Sequence, residues 1–268
     1  MPNTTRTEAP LRNKRNLLGL LAVSGLTAAT ARAGQPRAIP VESASMTPPF
    51  ATLADAAKLA LVPVAAATAL GDIGRLAGFC DRALDAGLAV GALKEAMVQL
   101  YAYAGFPRSL NGLDALMKVV EARRARGLQD AEGPAPGSVP VGRELLEAGT
   151  AAQTRLAGAP VRGPLFDFAP AIDRFLKTHL FGDIFARDNL DWQTRELVTV
   201  SALAALEGVE SQLAAHVRMG MNIGVTADQL RQSADGLASA GYPAAAARLQ
   251  AVLAPPATAA ARQGVSPP

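Results

Sequence analysis

The feature that most constrains this chain is an internal likeness at a fixed spacing. Gly87-Leu88-Ala89 aligns with Gly224-Val225-Thr226, an offset of 137 residues (224 against 87). The same offset pairs Lys58 with Arg195, Gly71 with Gly208, Leu76 with Leu213 and Leu93 with Leu230. With one residue deleted, Gly105-Phe106-Pro107 meets Gly241-Tyr242-Pro243. A constant offset across spaced landmarks marks a duplicated structural unit, here about 50 residues long. Each unit reads as helix, glycine break, helix, glycine break, helix, then Gly-aromatic-Pro. Glycine reaches the left-handed backbone that ends a helix, and the Ala- and Leu-rich segments between breaks cost least in helix propensity. No strand-like alternation is sustained. The predicted fold is all-α: two tandem repeats, each an antiparallel helical hairpin followed by a third helix.

Breaker-rich stretches divide the chain further. Residues 1–33 read as a signal peptide, with a basic start (Arg12, Lys14, Arg15), an apolar run from Leu17 to about Thr30 and the small-x-small triplet Ala31-Arg32-Ala33. The run is short of the ~20 apolar residues of a membrane span. No paired-arginine motif accompanies it, which points to general secretion. A flexible lead-in over 34–50 holds Pro36, Pro40, Pro48 and Pro49. The first repeat is expected over 51–127, a linker over 128–140 around Gly133-Pro134-Ala135-Pro136-Gly137, the second repeat over 141–254, and a disordered Ala/Pro-rich tail over 255–268. Within the second repeat, Arg143 to Leu156 is helix-like. Phe168 to Phe185 is an amphipathic stretch with Ile172, Phe175, Leu176 and Leu180 near one face. Asp191 suits the cap of the next helix, with Thr194 competing.

Charge and cysteine content narrow the function classes. The whole chain carries +3, but residues 1–33 hold five basic residues against Glu8, a net of +4, which leaves −1 for the remainder. No dense basic patch remains to neutralise phosphates, so a nucleic-acid partner is not expected. The single cysteine, Cys80, excludes an internal disulfide and reads as a small buried hydrophobe. An exported chain of this kind, periplasmic or secreted, must draw its stability from its core and from subunit contacts.

The sequences Phe181-Gly182-Asp183-Ile184-Phe185-Ala186-Arg187, Thr194-Arg195-Glu196-Leu197-Val198-Thr199, Ala204-Ala205-Leu206, His216 and Gly224-Val225-Thr226 resemble the carboxymuconolactone decarboxylase-like family. Gln99 to Pro107 resembles the third helix of the same family. The resemblance implies a helical, oligomeric protein with sites near helix and subunit junctions. Two tandem units then resemble a covalent dimer, and three chains a trimeric ring. One branch, similar to alkyl hydroperoxidase D, uses a Cys-x-x-Cys pair ahead of a histidine on one helix. Here Val209 and Gln212 stand in those places, and a thiol peroxidase needs a thiolate. The other branch resembles the decarboxylase, which acts on a small acidic lactone without a metal or organic cofactor. The expected function is a cofactor-independent decarboxylase, or a related lyase or isomerase, on a small carboxylated substrate. The alternatives are a non-catalytic oligomeric binding protein and, disfavoured, the thiol peroxidase.

The candidate catalytic pair is Glu196 and His216. If the helices either side of Glu207-Gly208 run antiparallel, His216 falls opposite Thr199, and Glu196 lies one turn away on the same face. The carboxylate then orients the imidazole and raises its basicity. The bland reading makes Glu196 a first-turn acid on the helix dipole and His216 a core histidine. Candidate binding residues are Thr199, Arg195 as a bidentate carboxylate ligand, and Gln99, Tyr103, Arg108 and Asn111 from the first repeat. At the 137 offset Leu59 replaces Glu196 and Phe79 replaces His216, so the first repeat reads as degenerate. With two histidines and one cysteine, no metal site is expected.

Overall fold

The computed structural model describes residues 55–254. The expected signal segment, the lead-in and the tail lie outside them. The described chain is all-α, with no strand. The first half comprises α1 (Asp55–Leu70), α2 (Ile73–Asp85), α3 (Val90–Ala104) and α4 (Phe106–Ala125). Three helices then precede the second set: α5 (Gly142–Ala157), α6 (Pro164–Phe168) and α7 (Pro170–Phe175), followed by a π-helix over Leu176–Ile184. The second set is α8 (Trp192–Ala205), α9 (Glu210–Asn222), α10 (Ala227–Ser239) and α11 (Pro243–Leu253).

Three helix starts recur at one spacing. Residue 210 stands against 73, 227 against 90 and 243 against 106, each 137 apart. Each half therefore holds a fourth helix beyond the hairpin and third helix expected from sequence, opened by Pro107 in α4 and Pro243 in α11. Proline fits there because a helix's first N–H groups have no intrahelical partner. Gly71 (φ 69°) and Gly208 (φ 75°) turn the two hairpins through left-handed backbone, which residues with a Cβ adopt only at a cost.

The two sets share one core. Helix α1 packs on α8, α3 on α4 and α8, and α10 on α11 and α1. Helix α8 is buried on every side from Thr194 to Ala205. It is apolar enough for this over Leu197, Val198, Val200 and Ala202–Ala205, yet it also carries Arg195, Glu196, Thr199 and Ser201. Each of these polar groups must then find a partner inside the protein. The linker 128–140 is held to α3, where Val90 N–H donates to Ala131 O at 2.9 Å and Gly91 N–H to Glu132 O at 2.8 Å.

The stretch from Phe168 to Phe185 departs from the sequence expectation. It is not one amphipathic helix. Pro170 opens α7 after the short α6, and the chain then widens into the π-helix. Phe175 and Ile172 are exposed, while Leu180, Phe181, Ile184 and Phe185 are buried in a second cluster with Ala152 and Leu156 of α5. The backbone registers through glycines. A Cβ on Gly149 would collide with the Lys177 carbonyl, and one on Gly182 would lie 2.9 Å from Leu145 Cδ1. Helix α5 therefore presses directly on the π-helix. Asp191 is the cap of α8, its side chain accepting from Thr194 N–H at 2.7 Å. No helix among the described residues is long and apolar enough to cross a membrane.

Candidate functional site

The hairpin of α8 and α9 brings Glu196 and His216 together. His216 Nδ1 lies 2.8 Å from Glu196 Oε2, and the residues are 7% and 1% exposed. Each comes from a helix that the Gly208 turn sends back along its neighbour. A carboxylate at Nδ1 orients the ring and leaves Nε2 for other contacts. The other carboxylate oxygen, Glu196 Oε1, is buried without a hydrogen-bond partner.

The third wall comes from α3 in the first half. Tyr103 stands edge-on to the His216 ring, with centroids 5.3 Å apart and planes at 83°. Its hydroxyl is also buried without forming a well-aligned hydrogen bond. Its pKa is pushed up, by burial first and then by the Glu196 charge. One turn earlier, Gln99 Nε2 donates to Thr199 Oγ1 and to the Arg195 carbonyl, both at 2.8 Å. Glu196, His216, Thr199, Gln99 and Tyr103 thus converge from α8, α9 and α3.

Arg195 does something other than wait for a substrate carboxylate. It is wholly buried, and its fork is taken: Nη2 donates to Glu95 Oε1 at 2.8 Å and to the Arg187 carbonyl at 2.8 Å, and Nη1 to Gln99 Oε1 at 3.1 Å. The carboxylate it binds is internal. The sequence reading missed Glu95, which takes Arg187 Nε at 2.8 Å and Asn189 Nδ2 at 3.0 Å as well. Burial works against the Glu95 charge, but the hydrogen bond from Arg187, the Arg195 charge and the bonds from Arg195 and Asn189 outweigh it. The Glu95 pKa falls below the usual glutamate range. A signal was present: Glu95 is a lone carboxylate in the apolar run Val90–Leu100, one turn from Gln99 on the same face. Arg108 and Asn111 are exposed on α4 and bond to none of these residues; the Arg108 guanidinium lies over Gly71.

The 137 offset places a second, dissimilar set on the other side. Leu59, Val62 and Phe79 on α1 and α2 stand for Glu196, Thr199 and His216, and Gln232 and Gly236 on α10, with Ala240 just after it, stand for Glu95, Gln99 and Tyr103. Only Lys58, the counterpart of Arg195, stays buried and charged. Its Nζ donates to Gln193 Oε1 at 3.3 Å and lies 4.0 Å from Asp191 Oδ2. Cys80 is wholly buried on α2, and burial pushes its thiol up to about 12.

Residues 170–254, which hold the π-helix, the Glu196–His216 hairpin and α10–α11, match the carboxymuconolactone decarboxylase family. That segment carries the likeness to the carboxymuconolactone decarboxylase-like family. It is similar to a 4-carboxymuconolactone decarboxylase of Acinetobacter baylyi, 38% identical over 68 residues. That match covers 25% of this chain and 50% of the relative, so the chain spans about half the length of the curated protein it matches. The polar wall from α3 lies outside the matched segment, contributed by residues of the first half.

Proposed function

We propose that the chain is a cofactor-independent decarboxylase, or a related lyase or isomerase, acting on a small carboxylated, lactone-like substrate. The observation that carries this reading is the buried Glu196–His216 pair, 2.8 Å apart, facing a tyrosine from the other half of the chain. Loss of carbon dioxide breaks a C–C bond and leaves its electron pair in the conjugated carbonyl as an enolate. The enolate then needs two things. A hydrogen-bond donor must hold the oxygen that gains charge, and an acid must return a proton to carbon. His216, as imidazolium held by Glu196, delivers the proton from Nε2 and regains one from solvent. The Tyr103 and Thr199 hydroxyls are the neutral donors at hand. Glu95, Gln99, Arg187 and Arg195 hold α3 against α8, and so fix Tyr103 relative to His216.

The duplication and its consequences belong to the same proposal. Two fused units, three chains to a ring, give three Glu196–His216 sites, the first-half counterparts having lost their polar groups. The chain is proposed to be exported through the segment 1–33. The thiol-peroxidase alternative has no support from the only thiol, which is buried and protonated at neutral pH.

The test is direct. Purified chain is offered 4-carboxymuconolactone and close carboxylated lactones, and carbon dioxide release is followed. His216→Ala and Glu196→Gln are each expected to lower kcat by about 10²–10⁴-fold, the usual worth of a positioned acid–base group, without loss of helical signal. Undiminished turnover in His216→Ala refutes the assignment. Binding of these acids with no turnover would instead make the chain a ligand-binding member of the family.

A further inference from the structure

A second cavity lies away from the Glu196–His216 pair, where the face of α5 meets the α5–α6 loop, α6, α7 and the start of the π-helix. Its volume is about 760 Å³, within the range of small-molecule sites. Gln153 lines it. This side chain is 2% exposed, and its carboxamide forms no hydrogen bond with any described residue. Asp173 lines the opposite side. Its Oδ2 accepts from Lys177 Nζ at 2.6 Å, whereas Oδ1 is buried with no partner. A buried amide and a carboxylate on a side chain 24% exposed therefore line one cavity, neither with its hydrogen-bonding capacity filled by described residues. Leaving them so costs free energy unless something else meets them.

We propose that this cavity is a binding site for a neutral polyhydroxylated molecule of about monosaccharide size. The chemistry of the wall selects the class. The free Asp173 oxygen requires a donor and repels an anion. The Gln153 amide requires both a donor and an acceptor. A ring of hydroxyls supplies both. The charged lining residues cancel, Arg162 and Lys177 against Asp167 and Asp173, so the cavity holds no net charge for an ionic ligand to neutralise. Phe166 and the adjoining prolines Pro160 and Pro170 offer the apolar surface that the C–H face of a sugar or cyclitol covers, and the Thr154 hydroxyl adds a further polar point. The floor is stiff, because α5 touches the π-helix backbone at Gly149. The site shares no lining residue with the Glu196–His216 pair and does not depend on the reaction assigned to it.

Saturation-transfer NMR on the full chain tests the proposal, with D-glucose, D-galactose and myo-inositol as probes at about 10 mM, enough to report a Kd of ~1 mM. Transfer to the C–H protons of at least one probe is expected. Asp173→Asn and Gln153→Met should each weaken it by roughly tenfold or more, with the helical signal retained, while His216→Ala leaves it unchanged. Should Gln153→Met fail to fold, Thr154→Val tests the same wall from its half-buried surface. No transfer from any of the three probes overturns the proposal, as does binding that survives in Asp173→Asn and the wall variant alike. Benzoate binding that Asp173→Asn strengthens, in place of polyol binding, overturns the ligand class.

Discussion

Replacing Glu95 with leucine removes the one carboxylate that two arginines share. Arg187 is 32% exposed in its side chain and can turn toward water, but Arg195 is wholly buried and cannot. An uncompensated buried charge costs about 3–5 kcal/mol. Glu95→Leu is therefore expected to lower unfolding free energy by ~4 kcal/mol, measured by urea titration with the slope unchanged. Arg195→Met alone leaves Glu95 still bonded to Arg187 and Asn189. Its cost should be only about 1–3 kcal/mol, from the acceptors on Gln99 and the Arg187 carbonyl left unpaired. The double variant then buries apolar groups against each other. It should fall short of the summed losses by about 2 kcal/mol or more, a coupling well outside the ~0.5 kcal/mol expected of independent sites. The acid limb gives a second reading. The folded Glu95 pKa is depressed from 4.5, so the unfolded carboxylate takes up protons first. The stability from Glu95 is whole above pH 4.5 and is lost as pH falls through the lower folded value. Glu95→Leu should flatten that limb. Additive single and double variants, or an acid limb identical to the parent's, would refute the claim that this network fastens the two halves.

Other outcomes follow from the same geometry. Cys80→Ser should leave turnover unchanged, and the native thiol should resist Ellman's reagent at neutral pH. Because burial lifts this thiol from 9.0 to about 12, native stability should decline between those pH values by up to ~1.4 kcal/mol per unit, a decline missing from Cys80→Ser. Peroxide turnover that Cys80→Ser abolishes would restore the peroxidase reading. Tyr103→Phe removes a buried hydroxyl without a well-aligned partner, so its melting point should stay within the equivalent of about 0.5 kcal/mol, while kcat falls roughly tenfold or more. A large stability loss with full kcat would make the hydroxyl structural. Sedimentation at micromolar concentration should show a trimer, and a stable monomer would sink the ring.

Much of the helical plan was legible because glycines and prolines punctuate it. Gly71 and Gly208 mark the hairpin turns, and the turn at Gly208 alone suffices to place His216 opposite the Glu196–Thr199 face. The Arg195 environment was not legible. A lone arginine in a family motif looks the same whether its carboxylate comes from a ligand or from α3, and only the packing of α3 on α8 decides. The π-helix was hidden for a related reason. Its sequence is periodic enough for an ordinary helix, and its widened turn reflects the approach of α5 at Gly149 and Gly182, a tertiary effect that local propensity does not encode. Proline at 170 is the sign in the sequence that Phe168–Phe185 is broken.

The contrast between the two halves explains why polar groups survive on one side together or not at all. A buried carboxylate, imidazole and amide are tolerable while each meets another, since one left alone costs about 1–3 kcal/mol. Once a member is lost, the rest become liabilities. At the 137 offset, Glu196, Thr199, His216, Gln99 and Tyr103 are answered by Leu59, Val62, Phe79, Gly236 and Ala240, every one apolar or small. Lys58 is the informative exception, because it finds Asp191 and Gln193 at the start of α8 instead. The retained set lies on the side where α5 and the π-helix pack, and the residues after that helix, Arg187 and Asn189, close the network around Glu95. Gln232, in the place of Glu95, is exposed. Burial by the added helices raises the stakes of every polar contact beneath them, and it is there that the Glu196–His216 pair lies.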